Sequence, residues 1–288
     1  MVIGNTVRET ARAKVNLALH VVGQREDGYH LLDTLVAFPT VGDEIEVDAD
    51  QTLSLTIDGP FAGGLPNTAD NLVLAAAELI QAEIEAAPGA HIRLVKSLPV
   101  TSGIGGGSAD AAATLRALAR LWDLSDAADS LLPLAAALGA DVPMCVRQKP
   151  LRAEGVGELL TPLPPFPNAG IVLANPGEPV ATPTVFQALA SRANPGLPAL
   201  PDRFAELASL VAYLEETRND LHDAAVSLAP VIGEVEAALA DLPGCRFARM
   251  SGSGATCFAL FDDAVSAVEA ADDLRTRAPQ WWIAAATL

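Results

Sequence analysis

The 288-residue chain is short of three things: cysteine (three), aromatic residues (5%) and positive charge, with 18 lysines and arginines against 36 acidic residues. The cysteines, Cys145, Cys245 and Cys257, lie far apart and form no C-x-x-C pair. A disulfide framework and a cysteine zinc site are thereby excluded, and sparse unpaired cysteine fits a reducing compartment. The net charge of −18 and isoelectric point near 4.4 describe a surface that repels nucleic acid and anionic membrane, and the basic residues are scattered. No nucleic-acid or membrane partner is expected. No apolar run approaches the roughly 20 residues that span a bilayer. Arg8, Glu9, Arg12 and Lys14 come early without an apolar signal core, so a cytoplasmic location is expected. An acidic protein that binds an anion has to do so locally, through backbone N–H groups and a few placed cations.

Half of the residues are hydrophobic, enough to form one large domain or two lobes. Residues 7–60 read mostly as strands, with β-branched or alternating runs at 15–22, 35–49 and 53–59 broken by Gly, Pro and Asp. Helical spacing covers 71–87, and 90–98 alternates like a strand. Ala- and Leu-rich helices are predicted at 108–122 and 126–138, and a strand at 170–177. Helices follow at 204–216, 220–229, 231–241 and 264–277, with strands near 245–250, 256–261 and 281–288. "TPLPPFP" (161–167) could mark a lobe boundary, and "ANPGLPALPD" (193–202) reads as a surface loop. Strands and helices mix without strict alternation, which favours α+β over a doubly wound sheet.

The densest chemical signal is "PVTSGIGGGSADAAA" (99–113), with four glycines between Gly103 and Gly107 and then an abrupt turn to helix formers. A helix start carries unpaired N–H groups and a positive dipole end, and glycine lets a phosphate approach the backbone. A phosphate cradle with Ser108 contacting phosphate or a magnesium ion is favoured over a plain tight turn with Ser108 as N-cap. It is neither of two familiar loops. A Rossmann pattern from Gly103 needs glycine at 108, and a Walker A loop needs Gly-Lys-Ser/Thr. Lys14 and Asn16, two apart on a strand, share a face and make either a polar site or a solvent edge. "DGYH" presents Tyr29 and His30, rings able to stack on a base, at a turn. Asp141 in "LGADVPMCV" reads locally as an N-cap more readily than as a catalytic group. "MSGSGATCFALF" (250–261) is either a simple hairpin or a second backbone cradle.

Taken together and in order, these segments resemble the GHMP superfamily of small-molecule kinases. Its Pro-x-x-x-Gly-Leu-Gly-Gly-Gly-Ser loop is matched by "PVTSGIGGGS", with Ile104 in the leucine position. "AKVNLALHVVGQREDGYHLLDTL", "GADVP", "NPGEPVAT", "RNDL" and "MSGSGATCFALF" resemble more narrowly those members whose substrate is a cytidine diphosphate-linked methylerythritol. The resemblance implies a two-lobed α+β fold. Residues 1–160 would form an ATP-binding N-terminal domain like ribosomal protein S5 domain 2. Residues 161–288 would form a ferredoxin-like, substrate-binding C-terminal domain.

It also implies the chemistry. Asp141 would take the proton of the attacking hydroxyl, and Lys14 would keep Asp141 ionised and steady the transferring phosphoryl group. ATP would lie on Pro99, Val100, Thr101, Ser102, Gly103, Ile104, Gly105, Gly106, Gly107, Ser108 and Ala109, with Mg2+ near Ser108. Asn71 and Val73 would line the adenine pocket. Asn16, Tyr29, His30 and Phe186 would hold the substrate. A monomer or weak homodimer is expected. Other GHMP kinases, acting on mevalonate, homoserine or a sugar, and a ligand sensor without turnover are the alternatives. "DGYH" with Phe186 argues against the former, and the intact loop with its acid–base pair against the latter. "RQKP" (147–150) departs from the family's usual Gly-Gly pair, and His222-Asp223 from its usual Glu-Pro.

Overall fold

The computed structural model describes residues 6–288 apart from 64, 69, 85–87, 101, 126 and 127. Two compact units interleave along the chain. Unit 1 is Met1–Ala13, Gly42–Val100 and Gly105–Gln148; unit 2 is Lys14–Val41, Thr101–Ile104 and Lys149–Leu288.

Unit 1 holds one sheet. Its strands are β1 (Val7–Arg12), β4 (Gly42–Asp50), β5 (Ser54–Asp58) and β6 (Gly89–Val95), in the order β1-β4-β6-β5. β5 runs parallel to β6 and the other pairs are antiparallel. Its helices are α1 (Leu72–Gln81), α2 (Gly106–Leu121), α3 (Ala128–Leu138) and α4 (Val142–Arg147). Small side chains let α2 be enclosed: Ala109, Ala111–Ala113 and Ala117–Ala119 are all buried, and α2 packs on β1, β4 and the other three helices. Arg116 is carried into this interior, where its guanidinium donates to Glu9 and to the Cys145 carbonyl.

Unit 2 holds two antiparallel sheets. One joins β2 (Val15–Gln24), β3 (His30–Ala37), β7 (Leu151–Gly155) and β8 (Leu159–Pro162) in that order. The other runs β10 (Phe247–Met250), β11 (Cys257–Phe261), β9 (Gly170–Asn175), β12 (Trp282–Thr287). All six residues of β9 are buried, as its unbroken apolar sequence requires of a central strand. Helices α5 (Thr182–Gln187), α6 (Leu207–Glu215), α7 (His222–Leu228), α8 (Val231–Ala240) and α9 (Ala264–Arg277) complete the unit, whose core includes Val172, Ile232, Leu239, Phe261 and Leu274.

The α+β expectation holds, and α9 occupies the predicted 264–277. Asp263 caps it by accepting from the Ser266 amide, and Ala267, Ala270, Ala271 and Leu274 form its buried stripe. Four expectations need correction. The run 35–49 is not one element: the chain breaks at 38–41 around Pro39, and β3 and β4 enter different sheets. The helix expected over 71–87 ends at Gln81, with Glu83 unfavourable at the negative end of the dipole and Pro88 following; residues 85–87 lie outside the described residues. α2 begins at Gly106 rather than 108, so two glycines lie inside its first turn. "TPLPPFP" is partly strand: Thr161 and Pro162 close β8, whose outer edge needs no donor from proline.

His20 is fully buried on β2. The Arg218 amide donates to its Nε2 at 3.1 Å, so that nitrogen is the acceptor and Nδ1 donates to the Pro195 carbonyl at 3.1 Å. Burial, and next the Arg218 charge, lower its pKa from 6.5. The unfolded chain therefore binds this proton first, and the stability His20 contributes is complete above pH 6.5 and is lost as pH falls below it. The melting temperature is expected to drop on acidification from pH 6.5, and His20→Gln, which can still donate and accept, to show a shallower acid limb.

Candidate active site

In unit 1 the glycine loop becomes the N-terminus of α2. Gly105 is the N-cap, in the left-handed region (φ 64°, ψ 26°) that favours glycine, and it supplies no side-chain cap. Ser108 is the third helical residue, not the cap. The first-turn amides thus have no capping side chain and no acidic neighbour in the turn, the electrostatic setting for a polyanion. Leu72, at the start of α1, lies beside Gly107, so the segment carrying Asn71 and Val73 is adjacent to this turn. Asn71 itself caps α1, accepting from the Val73 amide at 2.9 Å and donating to the Pro66 carbonyl at 2.8 Å, while Val73 is buried. Pro99 is buried and Val100 exposed. Thr101 lies outside the described residues.

Asp141 occupies the N-cap position of α4, but its carboxylate makes no capping hydrogen bond to that helix. The local expectation of an N-cap is corrected to that extent. Gln148 ends α4 in the left-handed region and donates to the Thr10 carbonyl at 2.8 Å, so the departing "RQKP" segment closes unit 1.

In unit 2 the other half of the loop, Ser102–Ile104, is backed by the second glycine turn. That turn joins β10 to β11 as a hairpin, and its tip packs on the loop. The Thr256 amide donates to the Ser102 carbonyl at 3.2 Å, and a Cβ on Gly103 (φ 73°) would stand 2.5 Å from the Gly254 carbonyl oxygen. Asn219 holds the turn's shape by donating to the Met250 and Gly252 carbonyls at 2.9 and 2.8 Å. Lys14 is buried and its amide donates to the Ile104 carbonyl at 2.9 Å. Asn16 is buried beside it: its amide donates to Ser251 Oγ, its Nδ2 to Thr34 Oγ1, and its Oδ1 has no partner.

Also in unit 2, His30 and Phe186 stack, centroids 4.8 Å apart and planes at 26°. His30 Nε2 is buried without a hydrogen-bond partner, and burial, with the Arg192 charge second, lowers its pKa, so the ring is neutral near pH 7. Tyr29 is 64% exposed on the turn before β3. Of the predicted site residues, the structure places the Lys14 amide on the Ile104 carbonyl, His30 against Phe186, and the start of α1 beside that of α2.

Sequence reasoning missed Asn219 as the holder of the second turn and missed a buried Asp43–Lys96–Asp110 cluster under α2. A lysine ending an alternating strand just before proline, and a lone aspartate in an alanine helix, were the available signals. Among the described residues no group of three His, Cys, Asp or Glu side chains could hold a metal ion. No described helix is long and apolar enough to cross a membrane.

Two family models match the chain: GHMP kinases N terminal domain over residues 71–149 and GHMP kinases C terminal over 197–280. The 4-diphosphocytidyl-2-C-methyl-D-erythritol kinase of Cereibacter sphaeroides is 55% identical over 95% of this chain and 96% of its own. The enzyme of the same name from Ruegeria pomeroyi is 54% identical over the same shares. A crystal structure of 4-(cytidine 5'-diphospho)-2C-methyl-D-erythritol kinase superposes with a TM-score of 0.79 at 35% identity, covering 97% of this chain and 98% of that one.

Gly103→Ala tests the backing of the loop. The added Cβ meets a carbonyl at 2.5 Å in a left-handed conformation. A loss of about 1–3 kcal/mol in folding stability is expected from denaturant titration, whereas Gly28→Ala, with nothing within 4 Å, should show only the conformational part.

Proposed function

The chain belongs to the GHMP kinase family and is a phosphotransferase, and from that premise we propose that it transfers the γ-phosphate of ATP to the C2 hydroxyl of 4-diphosphocytidyl-2-C-methyl-D-erythritol. The reaction is a step of the non-mevalonate route to isoprenoid precursors, carried out in the cytoplasm. The observation that carries the substrate half is the His30–Phe186 stack with its partnerless, neutral His30 Nε2. A stacked ring pair with an unmet polar nitrogen suits a pyrimidine base, and a substrate without a base has no use for it.

The remaining roles follow residue by residue. Tyr29, exposed next to the stack, adds a ring for the base, and Asn16 offers its unpaired Oδ1 to a substrate hydroxyl. The α2 first-turn amides from Gly106 to Ser108 receive the ATP phosphates, with 99–105 wrapping them and the α1 start at Asn71–Val73 beside adenine. Asp141, at the N-cap position of α4, takes the proton from the C2 hydroxyl as it attacks. Lys14 stabilises the charge of the transferring group. Mg2+, when bound with ATP, neutralises phosphate charge, and Ser108 is the residue that would contact it.

A coupled ADP-release assay offered the cytidyl substrate, mevalonate, homoserine and galactose should show turnover with the first alone. Turnover with another substrate in its place defeats the specificity. Asp141→Asn should lower kcat by about 10²–10⁴-fold, the range for losing a general base, with both KM values little changed. A near-unaltered rate removes Asp141 from the role. His30→Ala and Phe186→Ala should each raise KM for the cytidyl substrate roughly 5- to 100-fold, as base stacking of about 1–3 kcal/mol implies. The KM for ATP should not move; if it moves instead, the two sites are reversed.

A further inference from the structure

Beneath the first turns of α2 lies a charge cluster with no exit to solvent. Lys96, just past β6, donates from Nζ to Asp43 Oδ2 at 2.5 Å and to Asp110 Oδ2 at 2.7 Å, and the three residues are 3%, 0% and 3% exposed. The other oxygen of Asp43 accepts from the Ser97 and Leu98 amides at 2.6 and 2.7 Å. Asp110 Oδ1 is buried with no partner. Gly106 packs directly on the ammonium, since a Cβ there would stand 3.0 Å from Nζ. Such a cluster is an expensive way to gain stability. Two carboxylates share one ammonium, a carboxylate oxygen goes unpaired, and apolar side chains of the same volume would often hold the unit together as well.

Its connections suggest what it does. Ser97 and Leu98 lead into the glycine loop and Asp110 follows it. Asp43 grips the lead-in, Lys96 grips the far side, and the two grip each other. The residues that lead into the loop and the helix that follows it are thereby joined by a single clasp, whose three members all lie in unit 1. Burial pulls the Lys96 ammonium toward neutrality, but the two carboxylates more than offset this and leave its pKa raised, so the ammonium stays charged, while burial pushes the Asp110 carboxyl up to about 8.

We propose that Lys96, through Asp43 and Asp110, is the positioning residue of the phosphate loop, fixing the α2 first-turn amides in the register that receives the triphosphate. This rests on the reading of that loop as the ATP site. Lys96 itself touches no reacting atom.

The test uses the full chain and three variants. Lys96→Met removes the clasp. Lys96→Met/Asp110→Asn does so with one fewer uncompensated carboxylate. Asp110→Ala leaves a neutral Lys96–Asp43 pair and frees α2 from it. Two readouts separate positioning from mere stability: amide hydrogen exchange at 97–98 and at the hydrogen-bonded 109–110 without nucleotide, and the ratio of ATP to adenosine affinity. In every variant that folds, exchange at those amides should rise at least about tenfold, since a lost anchor permits local opening. The kcat/KM for ATP should fall by about 10²-fold, the scale of a misplacement of about 1 Å, with KM for the phosphoryl acceptor unchanged. Adenosine affinity should hold while ATP affinity falls. A variant that melts earlier yet keeps wild-type exchange, kcat/KM and ATP-to-adenosine ratio overturns the proposal. The two failures are distinct. Absence of ATP-dependent turnover in the unaltered chain defeats the functional reading, and exchange then still decides the clasp. Unaltered turnover and exchange in all the folded variants defeat the clasp alone.

Discussion

A helix N-terminus can receive a triphosphate only if its first amides are left unpaired and are also held still. Most helices resolve the first condition by capping, which removes the binding capacity. Here α2 starts from Gly105, which has no side chain to offer, and its first turn contains no carboxylate to compete for the amides. Gly106 and Gly107 are poor helix formers, costing about 1 kcal/mol each relative to alanine. The alanine-rich remainder of α2, enclosed within unit 1, offsets that loss and keeps the strained end in place.

Stillness of the α2 start is supplied within unit 1, and the loop residues that belong to unit 2 are held there by different physics. In unit 1 it is electrostatic: a buried ammonium between two carboxylates, one of which also receives the amides leading into the loop. In unit 2 it is backbone on backbone. The β10–β11 turn fits against Ser102 and Gly103 so closely that no Cβ can be admitted at Gly103, and Asn219 sets the shape of that turn. The chain passes from unit 1 to unit 2 at Val100–Thr101 and back at Ile104–Gly105, so the loop is divided between two units that are each held internally.

Three partnerless buried polar atoms among the described residues fall where a role is proposed, while Trp122 Nε1 lies elsewhere. Asn16 Oδ1, His30 Nε2 and Asp110 Oδ1 are each left without a protein hydrogen bond, although folding ordinarily satisfies such groups. His20, equally buried, contrasts with them: both of its nitrogens are engaged by backbone, and it holds the 195 and 218 segments together without any vacancy. The difference separates a histidine that builds unit 2 from one whose buried nitrogen has no protein partner.

Elements whose burial follows from their own spacing were legible in the sequence. α9 was bounded correctly because its cap, its buried stripe and its basic last turn are all local, and β9 was recognised because a run buried on both faces must be apolar throughout. The glycine loop and the GHMP kinase membership were equally legible, carried by contiguous motifs, whereas Phe186 joined His30 only through the family resemblance. Short elements escaped. α4, α5 and β7 are five or six residues long and β8 four, too short for a period to register, and they exist because neighbours pack on them. The split of 35–49 between two sheets escaped as well, since strand pattern does not reveal strand partners. Asn219 and the Asp43–Lys96–Asp110 cluster were beyond reach for a deeper reason. Their members are separated by tens of residues, each unremarkable where it stands, and only folding removes the water that made them separate charges. Sequence alone therefore determined which groups could meet a phosphate and a base; tertiary structure decided which of them are held rigid, because rigidity comes from contacts between residues distant along the chain.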